Sequence, residues 1–207
     1  MNSENSGKKT FKDFLKSNSK LLVGLLIILF IVFILFSWLD YSKKNEKIRI
    51  SEKFIDAKIF LNKKNNDSSL KIFKNIINKK DKVYSPLSLF LIIDKDLEKD
   101  EKAILKYFDT VLSIKDLEKE DLNLLKLKKA IFSSESSKEQ DLLDLLNPII
   151  NSKSVWRARS LKFLGDYYFS KKEFKKAKQY YSDLLSEENP NIDVSDIKRK
   201  IKSIKND

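Results

Sequence analysis

The strongest constraint on this chain is an uncharged apolar run, Leu21–Leu39, near its N-terminus. A helix needs about 20 such residues to cross a bilayer. Lys20 and Asp40 flank the run, and Trp38 lies near its end, where an indole suits the membrane interface. The run therefore predicts one transmembrane helix over residues 21–39, in contact with membrane lipid.

A cleaved signal peptide is the main alternative interpretation of this run. Its apolar region would span about 7–15 residues and end in small side chains. The run here is longer and ends in Phe36-Ser37-Trp38-Leu39, so we expect a retained signal anchor. Residues 1–20 form the predicted N-terminal tail and residues 40–50 a juxtamembrane linker. Lysines lie on both sides of the run, so charge alone does not decide which way the anchor faces.

Composition argues against catalysis and against nucleic-acid binding. The chain has no Cys and no His, which removes thiolate metal sites and the commonest general base. It has no Gly-rich phosphate loop and no nucleophile motif. The net charge is +12, but the lysines alternate with Asp and Glu as on solvated helix surfaces. We therefore expect no enzyme activity, no cofactor, no metal, no small-molecule substrate and no nucleic acid.

Beyond Asp40, apolar residues recur at helical spacing, and turn-forming residues are sparse, with Gly165 the single glycine. This predicts an all-α soluble part. The segment from residue 161 to 181 places bulky, small and aromatic side chains in the order of a tetratricopeptide repeat, whose small residues let two helices approach closely. These residues are Leu161, Leu164, Gly165, Tyr168, Ala177 and Tyr181.

Earlier segments repeat this order of bulky, small and aromatic positions, which we call the frame, less clearly. Ala57, Phe60, Ser69 and Phe73 fit a first unit, and Ala103 and Tyr107 follow Ser69 and Phe73 by 34 residues, the tetratricopeptide period. In that second unit, the frame puts Leu87 and Phe90 inward, Leu91 at the small position and Asp94 at the aromatic one. An irregular helical bundle is the alternative interpretation.

A weak third unit is predicted between residues 117 and 150. Its first helix would run over residues 117–132, with Leu122, Leu125 and Ala130 inward. Its second would start at a capping pattern, Ser137 to Gln140, and end or kink at Pro148. Residues 51–188 thus form a predicted tetratricopeptide-like solenoid. Residues 189–207 add a capping helix, from Val194 to Ile204, and a tail.

The chain resembles the YfgM-type ancillary subunits of the SecYEG translocon. The resemblance rests on the anchor, on the Leu-rich stretch around Pro148, and on the closing helix pair that begins near Trp156 and includes Gly165 and Ala177. It implies a bacterial inner-membrane protein with a cytoplasmic N-terminus and a periplasmic repeat domain. It also implies partners, the SecYEG translocon and a PpiD-like membrane chaperone, and a role in assisting secreted proteins.

A tetratricopeptide array binds partners on the inner face of its first helices. The predicted frame puts ten residues on that face: Phe54, Lys58, Leu61, Ser88, Ile92, Lys95, Arg159, Lys162, Asp166 and Phe169. Two other functions fit the same architecture: a generic membrane-tethered scaffold for envelope assembly or cell division, and a cytoplasm-facing adaptor attracted to anionic lipid.

Overall fold

The computed structural model describes residues 19–187 and 192–204. Most of the predicted tail, residues 1–20, and part of the predicted segment 189–207 lie outside these residues. Inside the first helix, the side chains of six residues are also not described: Ser19, Leu22, Leu25, Leu26, Asp40 and Lys43.

All regular elements within the described residues are α-helices, which confirms the predicted all-α class. They are α1 (Ser19–Asn62), α2 (Asn66–Asn78), α3 (Tyr84–Asp94), α4 (Glu101–Leu112), α5 (Lys119–Phe132), α6 (Glu139–Ile150), α7 (Arg157–Ser170), α8 (Phe174–Leu185) and α9 (Ser195–Ile204).

The chain divides into two compact units, residues 1–52 and residues 53–207. In the first unit, the described residues belong to α1, and large apolar side chains are exposed along it; Phe33 is 68% exposed and Trp38 64%. Residues 40–50, the predicted linker, are helical. Among the residues that the structure describes, no helix is both long enough and apolar enough to traverse a bilayer.

The second unit is a series of helical hairpins that pack in sequence. Hairpin 1 pairs residues 53–62 of α1 with α2. Hairpins 2, 3 and 4 pair α3 with α4, α5 with α6, and α7 with α8. Helix α9 packs against α8, at the position predicted for a C-terminal cap. Each amphipathic helix alone would leave an apolar stripe in water, and stacking the hairpins buries these stripes. The buried residues of hairpins 3 and 4 and of α9 form one continuous cluster.

Hairpin 4 agrees with its sequence prediction at the helix contact. Gly165 and Ala177 are both buried, and Leu164, Tyr168 and Tyr181 are at most 1% exposed. A Cβ atom on Gly165 would lie 2.3 Å from Cε1 of Tyr181. The missing side chain is therefore what allows the aromatic ring to pack against the α7 backbone.

Hairpin 1 has the same arrangement at the other end of the domain. Ala57, Ser69 and Phe73 take the places of Gly165, Ala177 and Tyr181, and each has an exposed fraction of 0%. The Ser69 hydroxyl donates a hydrogen bond to the Ala57 carbonyl at 3.0 Å, so the buried serine is satisfied within the hairpin. The predicted frame of the first unit thus agrees with the observed packing.

In hairpin 2 the predicted frame is wrong. Helix α3 buries Leu89 where the frame expected Leu91, and Leu87 is 42% exposed. Helix α4 buries Ile104 and Phe108, one residue after the predicted Ala103 and Tyr107. The reason is the turn between the helices: residues 95–100 form a six-residue connection, whereas three residues connect the helices of hairpins 1 and 4. The longer turn breaks the tetratricopeptide register.

Hairpin 3 forms where it was predicted. Its first helix, α5, buries Leu125 and Ala130 as expected, while Leu122 is half-buried. The polar stretch between its helices, residues 133–138, forms the predicted turn. The two helices pack against each other, so the weak sequence pattern still specifies a hairpin.

Helix α6 of hairpin 3 differs from its prediction at both ends. It does not end at Pro148 but continues to Ile150, and the neighbouring Ile149 is fully buried. The N-terminal cap is one residue later than predicted, because the Asp141 carboxylate accepts the Lys138 backbone N–H at 3.3 Å.

A polar network connects hairpin 3 to hairpin 4. The Glu120 carboxylate accepts hydrogen bonds from the Ser154 hydroxyl at 2.6 Å and the Val155 N–H at 3.2 Å. The Trp156 indole N–H donates to the Glu120 carbonyl at 2.9 Å, and the Asn123 amide donates to the Ser154 hydroxyl oxygen. These bonds orient the start of α7 relative to α5.

The first helices of hairpins 1, 2 and 4 end in the same way. Lys64, Asp96 and Lys172 follow the helix ends with φ angles of 60°, 49° and 62°. The next residue in each case donates its backbone N–H to the carbonyl five residues earlier, at 2.9 Å. This left-handed termination usually uses glycine, but here non-glycine residues adopt it.

Candidate protein-binding groove

The spacing of buried residues identifies which side chains of the first helices point away from the core. In α7 the buried stripe is Leu161, Leu164, Gly165 and Tyr168. The same spacing in α3 gives Ser85, Ser88, Leu89 and Ile92, all of which have an exposed fraction of 0%. In α5 the stripe includes Asn123, Leu127 and Ala130. Gly165, Leu89 and Leu127 therefore occupy equivalent positions in their helices. The residues one and four positions after each of them are equivalent as well.

In α3 and α5 these equivalent residues are Phe90 and Ile93, and Lys128 and Ile131. All four line a pocket of about 220 Å³ between the two helices, whose wall also includes Phe108 and Phe132. Ile131 is 49% exposed, so its side chain is open to a ligand in this pocket.

A second pocket, of about 260 Å³, lies along the same two helices. One side of this pocket is lined by Val83, just before α3, and by Pro86 and Leu87 of α3, and the other side by Leu124 of α5. Phe90 lines both pockets. Together the two pockets form an open apolar surface, which we call the α3–α5 groove.

Charged side chains border the α3–α5 groove. The ammonium nitrogen of Lys128 lies 5.0 Å from the centroid of the Phe90 ring, close enough for a cation–π interaction. The Asp94 carboxylate pairs with Lys95 at 2.8 Å. The hydrogen bond and the charge of Lys95 lower the pKa of Asp94, and the more distant charge of Lys128 contributes in the same direction. Among the described residues, Lys128 itself has no carboxylate within ion-pairing distance.

The predicted groove residues of hairpins 1 and 2 lie in different environments. Phe54 packs against Tyr84, with ring centroids 5.3 Å apart, and Lys58 is exposed while Leu61 is half-buried. Ser88 and Ile92 are completely buried and line no surface, which corrects their prediction. The wrong register of the second unit is the cause. Lys95 is exposed and forms the ion pair with Asp94.

The predicted groove residues of hairpin 4 contact other parts of the chain. Arg159 lies over the Trp156 ring at 5.3 Å. Asp166 binds Lys162 at 2.5 Å and Lys200 of α9 at 2.7 Å. Phe169 packs against Phe174, with ring centroids 5.6 Å apart, and the Lys200 ammonium lies 5.7 Å from the Phe169 ring. Helix α9 therefore covers part of this surface.

The Asp166 carboxylate is a link between hairpin 4 and α9. Burial raises its pKa, but hydrogen bonds from Lys162, Lys200 and Tyr181 outweigh burial and leave the pKa below its ordinary value. Tyr181 donates its hydroxyl to Asp166 at 2.7 Å. Because the folded-state pKa is lowered, the ionised carboxylate stabilises the fold above about pH 4, and this contribution is lost as the pH falls through the folded-state pKa.

We expect Asp166→Asn to lower the free energy of unfolding by about 1 kcal/mol at neutral pH, because the amide cannot keep both ammonium partners. The difference from the unmodified protein should shrink as the pH falls below about 4, because the unfolded chain then takes up a proton that the folded carboxylate, with its lowered pKa, resists. Urea unfolding between pH 3 and 7 measures both effects. Asp183→Asn, on the exposed side of α8, is the control; an equal loss in that variant would contradict the prediction.

Sequence reasoning missed the residues of the α3–α5 groove. It assigned no groove residues to the third unit, and it placed those of the second unit two positions away. The spacing of the apolar stripe within each helix would have found them. The prediction instead transferred positions from one unit to the next at the 34-residue tetratricopeptide period.

The described residues contain no cluster of three or more Asp and Glu side chains suited to holding a metal ion.

No protein-family model, no curated protein and no solved structure matches this chain.

Proposed function

We propose that this chain is a membrane-anchored, non-enzymatic protein whose tetratricopeptide-like hairpins bind other proteins beside the Sec translocon. In this proposal residues 21–39 span the bacterial inner membrane, the N-terminus is cytoplasmic, and the hairpin domain lies in the periplasm. Its partners are the SecYEG translocon and a PpiD-like chaperone, and it assists secreted or envelope proteins.

The observation that carries the protein-binding part is the α3–α5 groove. Apolar clefts between packed helices are among the usual places where proteins bind their ligands. Anchoring is supported by the uncharged run Leu21–Leu39 and by the exposed apolar side chains of α1. The choice of the translocon and of the periplasmic side rests on the resemblance to YfgM-type subunits. An anchor raises the local concentration of a weak binder near its membrane partners.

Site-specific crosslinking in native membranes tests this proposal. A photoreactive amino acid in place of Ile131, in the groove, should crosslink SecY or a PpiD-like chaperone, identified by mass spectrometry. The same replacement at Ile59, which is 45% exposed on α1, is the matched control and should not. Recovery of an envelope-assembly or division protein from the groove position, with neither expected partner, would contradict the translocon assignment and favour the scaffold function.

Protease treatment of intact spheroplasts tests the orientation. A periplasmic hairpin domain is cut under these conditions, whereas a domain facing the cytoplasm is protected until the membrane is opened. Protection in intact spheroplasts would support the cytoplasm-facing adaptor instead.

A further inference from the structure

The two pockets of the α3–α5 groove repeat each other along both helices. Val83, Pro86 and Leu87 of one pocket are each followed seven residues later by Phe90, Ile93 and Asp94 of the other. In α5 the same shift of seven relates the pocket residues 121, 124 and 125 to residues 128, 131 and 132. Seven residues are two helical turns, so the two pockets are displaced by about 10 Å along both helices.

This displacement selects among the conformations of a bound segment. In polyproline II geometry, residues three apart point the same way and are separated by about 9 Å. In a β-strand, same-facing residues are separated by about 7 or 13 Å, which does not match. In an α-helix, residues seven apart match the distance, but a side chain between them would face the Phe90 ring that divides the pockets. An extended segment avoids this contact, because its intermediate side chains point toward the borders of the groove, where the charged residues lie.

The charges at the groove define one further property of the occupant. Lys128 lies over the dividing Phe90 ring and has no ion-paired carboxylate among the described residues. The acidic side chain beside it, Asp94, is paired with Lys95. A carboxylate between the two apolar residues of the segment would therefore lie beside the Lys128 ammonium group, at the border of the groove between the two pockets.

We propose that the α3–α5 groove binds an extended protein segment in which two large apolar side chains lie three residues apart and an acidic residue stands between them. The apolar side chains fill the two pockets, and the acidic one pairs with Lys128. This inference rests on the proposed protein-binding function and names the chemistry of its ligand.

Fluorescence anisotropy with labelled synthetic peptides tests the proposal on the full-length protein in lipid nanodiscs, which avoid detergent in the pockets. The first peptide has two leucines three residues apart, with aspartate and proline between them, in a Gly-Ser background. A second peptide spaces the leucines four apart, and a third has lysine in place of aspartate. A fourth places leucines seven apart in an alanine-rich helical peptide.

We expect the first peptide to bind at least about tenfold more tightly than each of the others. Ile131→Ala should weaken its binding about tenfold, whereas Ile59→Ala, at a similarly exposed isoleucine outside the groove, should leave it unchanged. Lys128→Glu should invert the preference between the aspartate and lysine peptides. Circular dichroism of each variant checks that the domain remains folded.

Three results would overturn the proposal: equal affinity for all four peptides, tighter binding of the helical peptide, or equal effects of Ile131→Ala and Ile59→Ala. The proposed function can fail separately. If crosslinking from position 131 recovers SecY while no peptide preference is found, the ligand chemistry is wrong and the translocon assignment stands. A peptide preference without the expected crosslinks would support the ligand chemistry and contradict the translocon assignment.

Discussion

Replacing Gly165 with alanine is expected to lower the free energy of unfolding of the hairpin domain by roughly 2 kcal/mol or more. The new Cβ atom would lie 2.3 and 2.4 Å from two carbons of the Tyr181 ring. That ring has an exposed fraction of 0%, and its hydroxyl is bound to Asp166, so it cannot move aside without losing packing and a hydrogen bond. The higher helix propensity of alanine recovers only about 1 kcal/mol.

Urea unfolding of the full-length protein in mild detergent, followed by circular dichroism, measures this loss. Gly24→Ala is the matched control, because no atom outside the local backbone lies within 4 Å of its added Cβ position. In a Tyr181→Leu background the same Gly165→Ala change should cost less, since the atoms it strikes have been removed. An undiminished cost in that background would show that the ring contact is not the cause.

The second large effect is expected for Phe73→Ala in hairpin 1, with a loss of about 3–5 kcal/mol. Phe73 has an exposed fraction of 0% and packs against Phe54, with ring centroids 5.7 Å apart. Removing the ring leaves a cavity between α1 and α2 that the surrounding helices fill only in part. Since small domains have only about 5–15 kcal/mol of stability, hairpin 1 should unfold first in this variant.

The same urea titration tests this expectation, with amide hydrogen exchange in α2 as a local measure of opening. Phe73→Leu, which retains much of the side-chain volume, should cost only about 1–2 kcal/mol. Phe36→Ala removes a phenylalanine that is 67% exposed in the other unit, so it should not alter unfolding of the hairpins. If Phe73→Ala costs no more than Phe73→Leu, this ring is not part of the core.

The sequence predicted hairpins 1 and 4 well because both connect their helices through equally short turns, so the positions of small and aromatic side chains carry over. Hairpin 2 was predicted in the wrong register because its turn is longer. There the frame followed Ala103 and Tyr107, whereas burial follows Ile104 and Phe108, which bring more apolar area into the core.

The candidate site was harder to predict than the fold, because it depends on two helices at once. Phe90 could be assigned to a groove only after Leu89 was known to be buried. Ile131 is exposed in a pocket that α3 and α5 line together. The apolar pattern of a single helix cannot reveal a pocket that needs a second helix. Conversely, Asp166 and Phe169 have the expected position on α7, but α9 contacts both of them.

The helix ends at Lys64, Asp96 and Lys172 bear on how this domain could be engineered. Each holds an L-residue in left-handed backbone geometry, which costs about 1 kcal/mol that glycine would not incur. Gly165 is the only glycine after residue 40, so none of these three turns uses glycine. Glycine at these positions would raise thermal stability without touching the α3–α5 groove, which makes them suitable sites for building a more robust form of the domain.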